Sequence, residues 1–148
     1  VMLCSYEQLV RILSDDDVWR WVTDDYSKDT PRDKAAANML SLSVVLAPNE
    51  HTAFILIPRS ETIVDLHLAI AKEGRGRQAI DAARTAMAYI FEMSTFEKIT
   101  SMAPANNRPL GVYARACGFR REGTLTKSLR RGGELIDQHI YSFEKERF

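Results

Sequence analysis

The chain is poor in the residues that define several protein classes, and each shortage narrows the reading. Its two cysteines, Cys4 and Cys117, stand far apart with no Cys-x-x-Cys spacing. That pattern speaks against a disulfide framework or a zinc site and fits a reduced, cytoplasmic protein. No apolar run reaches the length of a membrane span, and no basic stretch followed by a hydrophobic one opens the chain, so neither insertion nor secretion is expected. The three histidines, His51, His67 and His139, are too scattered to suggest a metal site. There is no internal repeat, no low-complexity segment and no net charge. The neutrality hides an asymmetry, because Val1 to Gly74 carries 12 acidic and 7 basic residues and Arg75 to Phe148 carries 8 acidic and 13 basic. A basic C-terminal half suits a polyanionic ligand. Nucleic acid is the weaker reading, since the basic residues are spread out and no aromatic-flanked RNA-binding run accompanies them.

What is present is an ordinary globular composition, 45% hydrophobic and 27% charged over 148 residues, which predicts a single domain over 1–148 with a real core. Ser5 followed by Leu9, Ile12 and Leu13 reads as a capped amphipathic helix, and Ser14 with three aspartates starts a second one that turns Val18, Trp19 and Val22 inward. Thr30-Pro31 punctuates the chain. Met39 to Ala47, Thr52 to Ile57 and Thr62 to Ile70 read as three strands of an antiparallel meander. The apolar period then lengthens, placing Ala79, Ala83, Ala86, Met87, Ile90 and Phe91 on one face of a helix from near Arg77 to about Met93. Lys98 to Met102 is a further strand, Pro109 to Ala116 a short helix, and Phe119 to Leu129 with Leu135 to Phe143 a hairpin closed by Gly132-Gly133. A short first strand near Met2 to Cys4 would complete the order.

The most informative stretch is Asn106 to Gly123, NNRPLGVYARACGFRREG. An Asn opening a short helix, a Tyr seven positions on and a Gly-Phe pair starting the next strand are matched by Asn106, Tyr113 and Gly118-Phe119. With the upstream run Glu73 to Met102, this stretch resembles the GNAT N-acetyltransferase family, most closely its ribosomal-protein N-terminal acetyltransferase branch. The resemblance implies an α/β (α+β) acyl-CoA N-acyltransferase fold: a mixed central sheet of six to seven strands flanked by about four helices. It also implies acetyl-CoA as co-substrate, with Asn106 capping the helix and holding the pantetheine arm, and the Tyr113 hydroxyl protonating the leaving thiolate.

The strand end at Ile70 and the loop Lys72 to Ala79 stand where GNAT proteins carry the pyrophosphate loop, a junction whose free N–H groups and positive helix end hold anions. Gly74, Arg75, Gly76, Arg77, Gln78 and Ala79 are the candidates there. The loop departs from the family pattern, with Gly74 where Gln or Arg is usual and Arg77 where the central Gly is usual. The plain alternative is a glycine-eased turn with two solvated arginines. A dinucleotide fold fails on context, because no acidic strand end follows about twenty residues on.

In this family a Glu on the fourth strand often serves as the base. Asp65 and His67 here are two apart on that strand, so they share a face and can form an Asp-oriented His, or else an exposed carboxylate and a core imidazole. Asp15, Asp16, Asp17, Asp24 and Asp25 crowd the second helix, either as capping and solvated charges or beside a cationic amine. The implied activity is acetyl transfer to a primary amine (a protein N-terminus, a lysine or a small amine) by direct attack, without metal. The rival is a GNAT-fold binding or assembly module without catalysis, because the Gly-Arg-Gly-Arg loop loosely resembles GNAT-like proteins of tailed phages.

Overall fold

The computed structural model describes residues 2–148, and Val1 lies outside the described residues. Helix α1 (Tyr6–Leu13) begins where the Ser5 hydroxyl accepts the Gln8 N–H at 3.1 Å, and it buries Leu9, Ile12 and Leu13 on one face. Helix α2 (Asp16–Val22) is capped by Asp15, whose carboxylate accepts from Asp17 and Val18. Ser14, expected to start this helix, closes α1 instead, keeping helical dihedrals and turning its hydroxyl back onto the Arg11 carbonyl.

The next element corrects the sequence reading. Helix α3 (Arg32–Leu42) occupies Met39 to Leu42, which had read as strand, and β1 (Val44–Asn49) starts only at Val44. Alternation over Met39-Leu40-Ser41-Leu42 mimics a strand, but none of these residues is β-branched. The preceding Ala35-Ala36-Ala37, set behind Pro31, favours continued helix. The described residues therefore hold five α-helices, one more than expected. Arg32 fixes α3 in place by donating to the Leu13 and Ser14 carbonyls and to Asp16 (2.8 Å), with its guanidinium over the Trp19 ring.

The remaining elements follow the expected order: β2 (Thr52–Pro58), β3 (Ile63–Ile70), α4 (Arg77–Met93), β4 (Lys98–Pro104), α5 (Arg108–Ala116), β5 (Arg120–Arg131) and β6 (Glu134–Glu144). They form one six-stranded sheet in the order β1-β2-β3-β4-β6-β5, antiparallel except between β3 and β4. Leu3 adds a single bridge to Leu46 at the β1 edge in place of a full first strand. The β5–β6 hairpin turns through Gly132 and Gly133, both at positive φ, which is the two-residue turn that a twisted hairpin prefers.

Each face of the sheet has its own core. On one side α1, α2 and α3 bury Leu9, Ile12, Trp19 and Ala36 against Val45, Ala53, Ile55 and Ala69. On the other, Ala83, Met87, Ile90 and Phe91 of α4 pack on Phe54, Val64 and Ile99, together with Cys117, Phe119 and Phe143. Alternation along β3 divides its side chains accordingly, Val64 and Leu66 to the α4 face and Asp65 and Ala69 to the other.

Candidate active site

The parallel pairing of β3 with β4 covers only Ile63–Lys98, Val64–Ile99 and Asp65–Thr100, after which the strands part. The Ser101 hydroxyl fills the start of the gap by donating to the Leu66 carbonyl at 2.9 Å. Because a strand alternates the direction of its backbone groups, Leu68 and Ile70 aim their N–H and C=O the same way, into the opening. The helix end α4 faces this opening too. Gly76, at φ 89°, turns the chain into it, a conformation that side-chain-bearing residues rarely adopt. Among the described residues no protein acceptor meets the Gly76, Arg77 and Gln78 N–H groups, so the positive end of a 17-residue helix is left open.

These features border a cavity of about 450 Å³ whose walls include Ile70, Arg75, Gly76 and Ala79 on one side and Asn107, Leu110 and Tyr113 on the other. Arg75 reaches across it to Asp17 of α2 at 2.6 Å. Three of the loop residues singled out from sequence do not line this cavity. Gly74 is buried, and a Cβ there would lie 2.7 Å from the His51 Cβ, so its smallness serves packing of the loop. Gln78 folds its amide back onto the Glu73 carbonyl, and Arg77 points to solvent.

Asn106 is also displaced from its expected role. The cap of α5 is Asn107, whose side-chain Oδ1 accepts the Leu110 N–H at 3.3 Å, and Asn107 rather than Asn106 lines the cavity. Proline explains the register: a cap at Asn106 would face Pro109 at its third helical position, where no N–H exists, whereas a cap at Asn107 finds Leu110.

Tyr113 projects from α5 toward α4 and donates its hydroxyl to the Ala79 carbonyl at 2.6 Å. Burial, with the Cys117 thiol beside it, pushes the phenol well above its usual range, so it keeps its proton.

A second cavity of about 430 Å³ adjoins the first, and the two share Trp21, Val22, Leu68 and Leu110. His67 is on its wall, half exposed, with Nε2 3.0 Å from Asp65 Oδ2. Asp65 is 2% exposed and also accepts from Arg59 at 3.0 Å and from Thr100 at 2.8 Å. Burial works to raise its pKa. The hydrogen bonds from His67, Thr100 and Arg59 and the charge of His67 outweigh that and hold the carboxyl below the ordinary range. Nε2 is the ring nitrogen that faces Asp65, and Nδ1 is the other one. The pair expected from the two-residue spacing is thus formed. Arg59 and Thr100, the residues that fix its geometry, carried no signal in the sequence.

The aspartates of α2 and the following turn hold structure together. Asp15 caps α2 and accepts the Lys72 N–H, Asp16 pairs with Arg32, and Asp17 pairs with Arg20 and Arg75. Asp24 closes its own turn on Ser27, while Asp25 accepts the Gly132 and Gly133 N–H groups at 2.8 Å each. With Arg131 donating to the Thr23 and Trp21 carbonyls, this staples the hairpin tip to the end of α2 and closes the second cavity on that side. Asp137 likewise steadies the hairpin, accepting the N–H of Lys127, a bulge residue at φ 50°. His51 lies beside Glu50 and His139 beside Thr124, and no cluster of three or more metal-ligating side chains occurs among the described residues. No helix among them is long and apolar enough to cross a membrane.

No protein-family model matches the sequence, and no curated protein matches it. Solved structures do match the fold. An acetyltransferase of the GNAT family from Bacillus anthracis is similar with a TM-score of 0.74 at 18% identity, over 95% of this chain and 89% of that one. A spermidine N-acetyltransferase variant from Vibrio cholerae gives 0.80 at 16% identity, over 99% and 93%. A ribosomal-protein alanine acetyltransferase from Vibrio fischeri gives 0.75 at 14%, over 97% and 91%. The fold is that of the GNAT acetyltransferases.

Proposed function

We propose that the protein is an acetyl-CoA-dependent N-acetyltransferase that acts on a primary amine by direct attack. One observation carries the reading. A cavity walled by free backbone groups and an open helix end meets a second cavity holding an Asp-oriented His, and the meeting point is Leu68 and Leu110. A thioester laid along the first cavity would bring its phosphates to Gly76, where the unpaired amides of α4 begin, and its pantetheine arm along Leu68, Ile70 and Asn107. Arg75, already in that wall, is positioned to answer the 3′-phosphate.

In this scheme His67 takes a proton from the incoming ammonium at Nδ1, and Asp65 stabilises the resulting imidazolium through Nε2. The neutral amine then attacks the acetyl carbonyl. The Leu68 N–H, directed into the gap, donates to the developing oxyanion. As the carbon–sulfur bond breaks, the Tyr113 proton passes to the thiolate, a transfer that requires the hydroxyl to swing from the Ala79 carbonyl. The nitrogen, cationic after attack, releases its second proton to solvent as it becomes the amide, and the phenolate and the imidazolium return to their starting states by exchange with solvent. Cys4 and Cys117, both free and buried, take no part and suit the reducing cytoplasm.

The test is release of free CoA thiol in the presence of acetyl-CoA and a panel of amines, with mass spectrometry of the amine products. Acetylated amine formed by the wild type and lost in His67→Gln supports the reading. Binding of CoA with no transfer to any amine would leave a binding module on this fold.

A further inference from the structure

The wall of the second cavity restricts what amine it can take, and this inference rests on the transferase reading of the site. Away from His67 the larger part of the wall is apolar, with Met39, Leu42, Ile55, Ile57, Met102 and Leu129 in it; Asn38, Ser43, Ser101 and Gln138 are neutral polar members, and Asp24 and Arg131 carry charge. Asp24 is its only carboxylate. That group is folded onto its own turn, with Oδ1 accepting from the Tyr26 and Ser27 N–H groups and the Ser27 hydroxyl. The Arg131 guanidinium close by offsets its charge. Asp65, the other nearby acid, is sealed behind His67 and fully engaged by Arg59, Thr100 and His67. The carboxylates of α2 and of the turn after it are likewise paired, Asp16 with Arg32, Asp17 with Arg20 and Arg75, and Asp25 with the hairpin amides.

We infer that the acceptor is a primary monoamine on an apolar body, aliphatic or aromatic, and not a polyamine or any amine with a second positive charge. The reacting nitrogen loses its charge to His67 before attack, so a monoamine lies in the cavity as a neutral molecule. The distal ammonium of a diamine would have to stay charged in a mostly apolar wall whose carboxylate, Asp24, holds its own turn and stands beside the Arg131 guanidinium, a like charge to the incoming one. Burial of an unpaired ion is among the most unfavourable events in a protein interior. A volume of about 430 Å³ accommodates a small molecule of this class. The shared fold with spermidine acetyltransferases therefore does not extend to a shared acceptor.

Binding can be read without relying on turnover. Met39 and Met102 line the cavity, and Met93, 69% exposed on α4, lies outside it. The protein carrying methyl-labelled methionine would be titrated at mildly alkaline pH, in the presence of CoA, with hexylamine, with cadaverine of equal chain length, and with spermidine. The expected result is saturable shifts of the Met39 and Met102 methyls by hexylamine with Met93 unmoved, and binding of cadaverine and spermidine weaker by roughly tenfold or more. Leu42→Glu, at an 84% exposed position on the rim where the fold is not at stake, should narrow that gap by about threefold. Hexylamine binding at these methyls without acetyl transfer would uphold the inference and remove the transferase reading. Equal or tighter binding of cadaverine or spermidine, or no shift of Met39 and Met102 with any of the three amines, would overturn the inference.

Discussion

The two cavities that meet at Leu68 are made differently. The first is largely a backbone site, formed by strand amides freed where β3 leaves β4, by the turn at Gly76 and by the open end of α4. The second is a side-chain site, enclosed by α2, α3 and the hairpin tip, with the His67–Asp65 pair at its wall. Backbone sites recognise what a shared cofactor always presents, phosphates and amides, and they tolerate changes of side chain around them. Side-chain sites recognise what differs between acceptors, and each wall residue alters the specificity. One fold can thus hold a constant donor and change its acceptor by replacing α3 and the hairpin contacts.

The largest expected effect falls on the one ionisable side chain that the helix α5 adds to the wall of the first cavity. Tyr113→Phe removes the proton donor while keeping the ring, and should lower turnover roughly 10² to 10⁴-fold with acetyl-CoA affinity nearly unchanged in calorimetry. Unchanged turnover would assign thiolate protonation to water and sever Tyr113 from the chemistry.

The next tests the side-chain half. Asp65→Asn removes a buried carboxylate that three donors hold, and should destabilise the protein by about 1.5 to 3 kcal/mol near neutral pH in denaturant unfolding. The folded pKa of Asp65 lies below its unfolded value, so this stabilisation is complete above the ordinary carboxylate range and fades as pH falls through the folded value. Wild type and Asp65→Asn should converge in stability at strongly acidic pH. A difference that stayed constant with pH would mean the carboxylate charge is not what holds β3 to Arg59 and Thr100.

Smaller effects belong to the backbone half, where side chains assist rather than build. Arg75→Ala should weaken CoA by roughly tenfold and dephospho-CoA by much less, while Arg77→Ala, which lies off the cavity, should do little to either. Equal losses for both ligands would leave the amides as the whole phosphate cradle. Smallest of all, Asn107→Ala should cost about 1 kcal/mol as a lost helix cap and Asn106→Ala almost nothing. The reverse order in thermal unfolding would restore Asn106 as the cap.

The same division decided what could be read from the chain. The helix start near Arg77 was legible because a change to a helical apolar period leaves a local mark, whereas Tyr113 was reached only through the resemblance carried by Asn106 to Gly123. The Asp65–His67 pair was legible because a strand repeats every two residues. Gly74 misled because packing on His51 demands a small residue just as close ligand approach would. The neighbouring asparagines were misassigned by one, a register that only Pro109 resolves. The acceptor wall was not legible, because α3 mimicked a strand over Met39 to Leu42. The staple of Asp25 and Arg131 across the hairpin, joining residues over a hundred positions apart, leaves no local pattern.

The central claim, that the opening between β3 and β4 with the free end of α4 is a CoA site, is tested most directly by calorimetric titration of the purified protein with acetyl-CoA, repeated on Gly76→Val. Saturable one-to-one binding to the wild type is expected. A loss of at least roughly tenfold is expected in the variant, whose side chain strains the turn that presents the amides. No binding heat at millimolar acetyl-CoA, or equal binding by Gly76→Val, would contradict it.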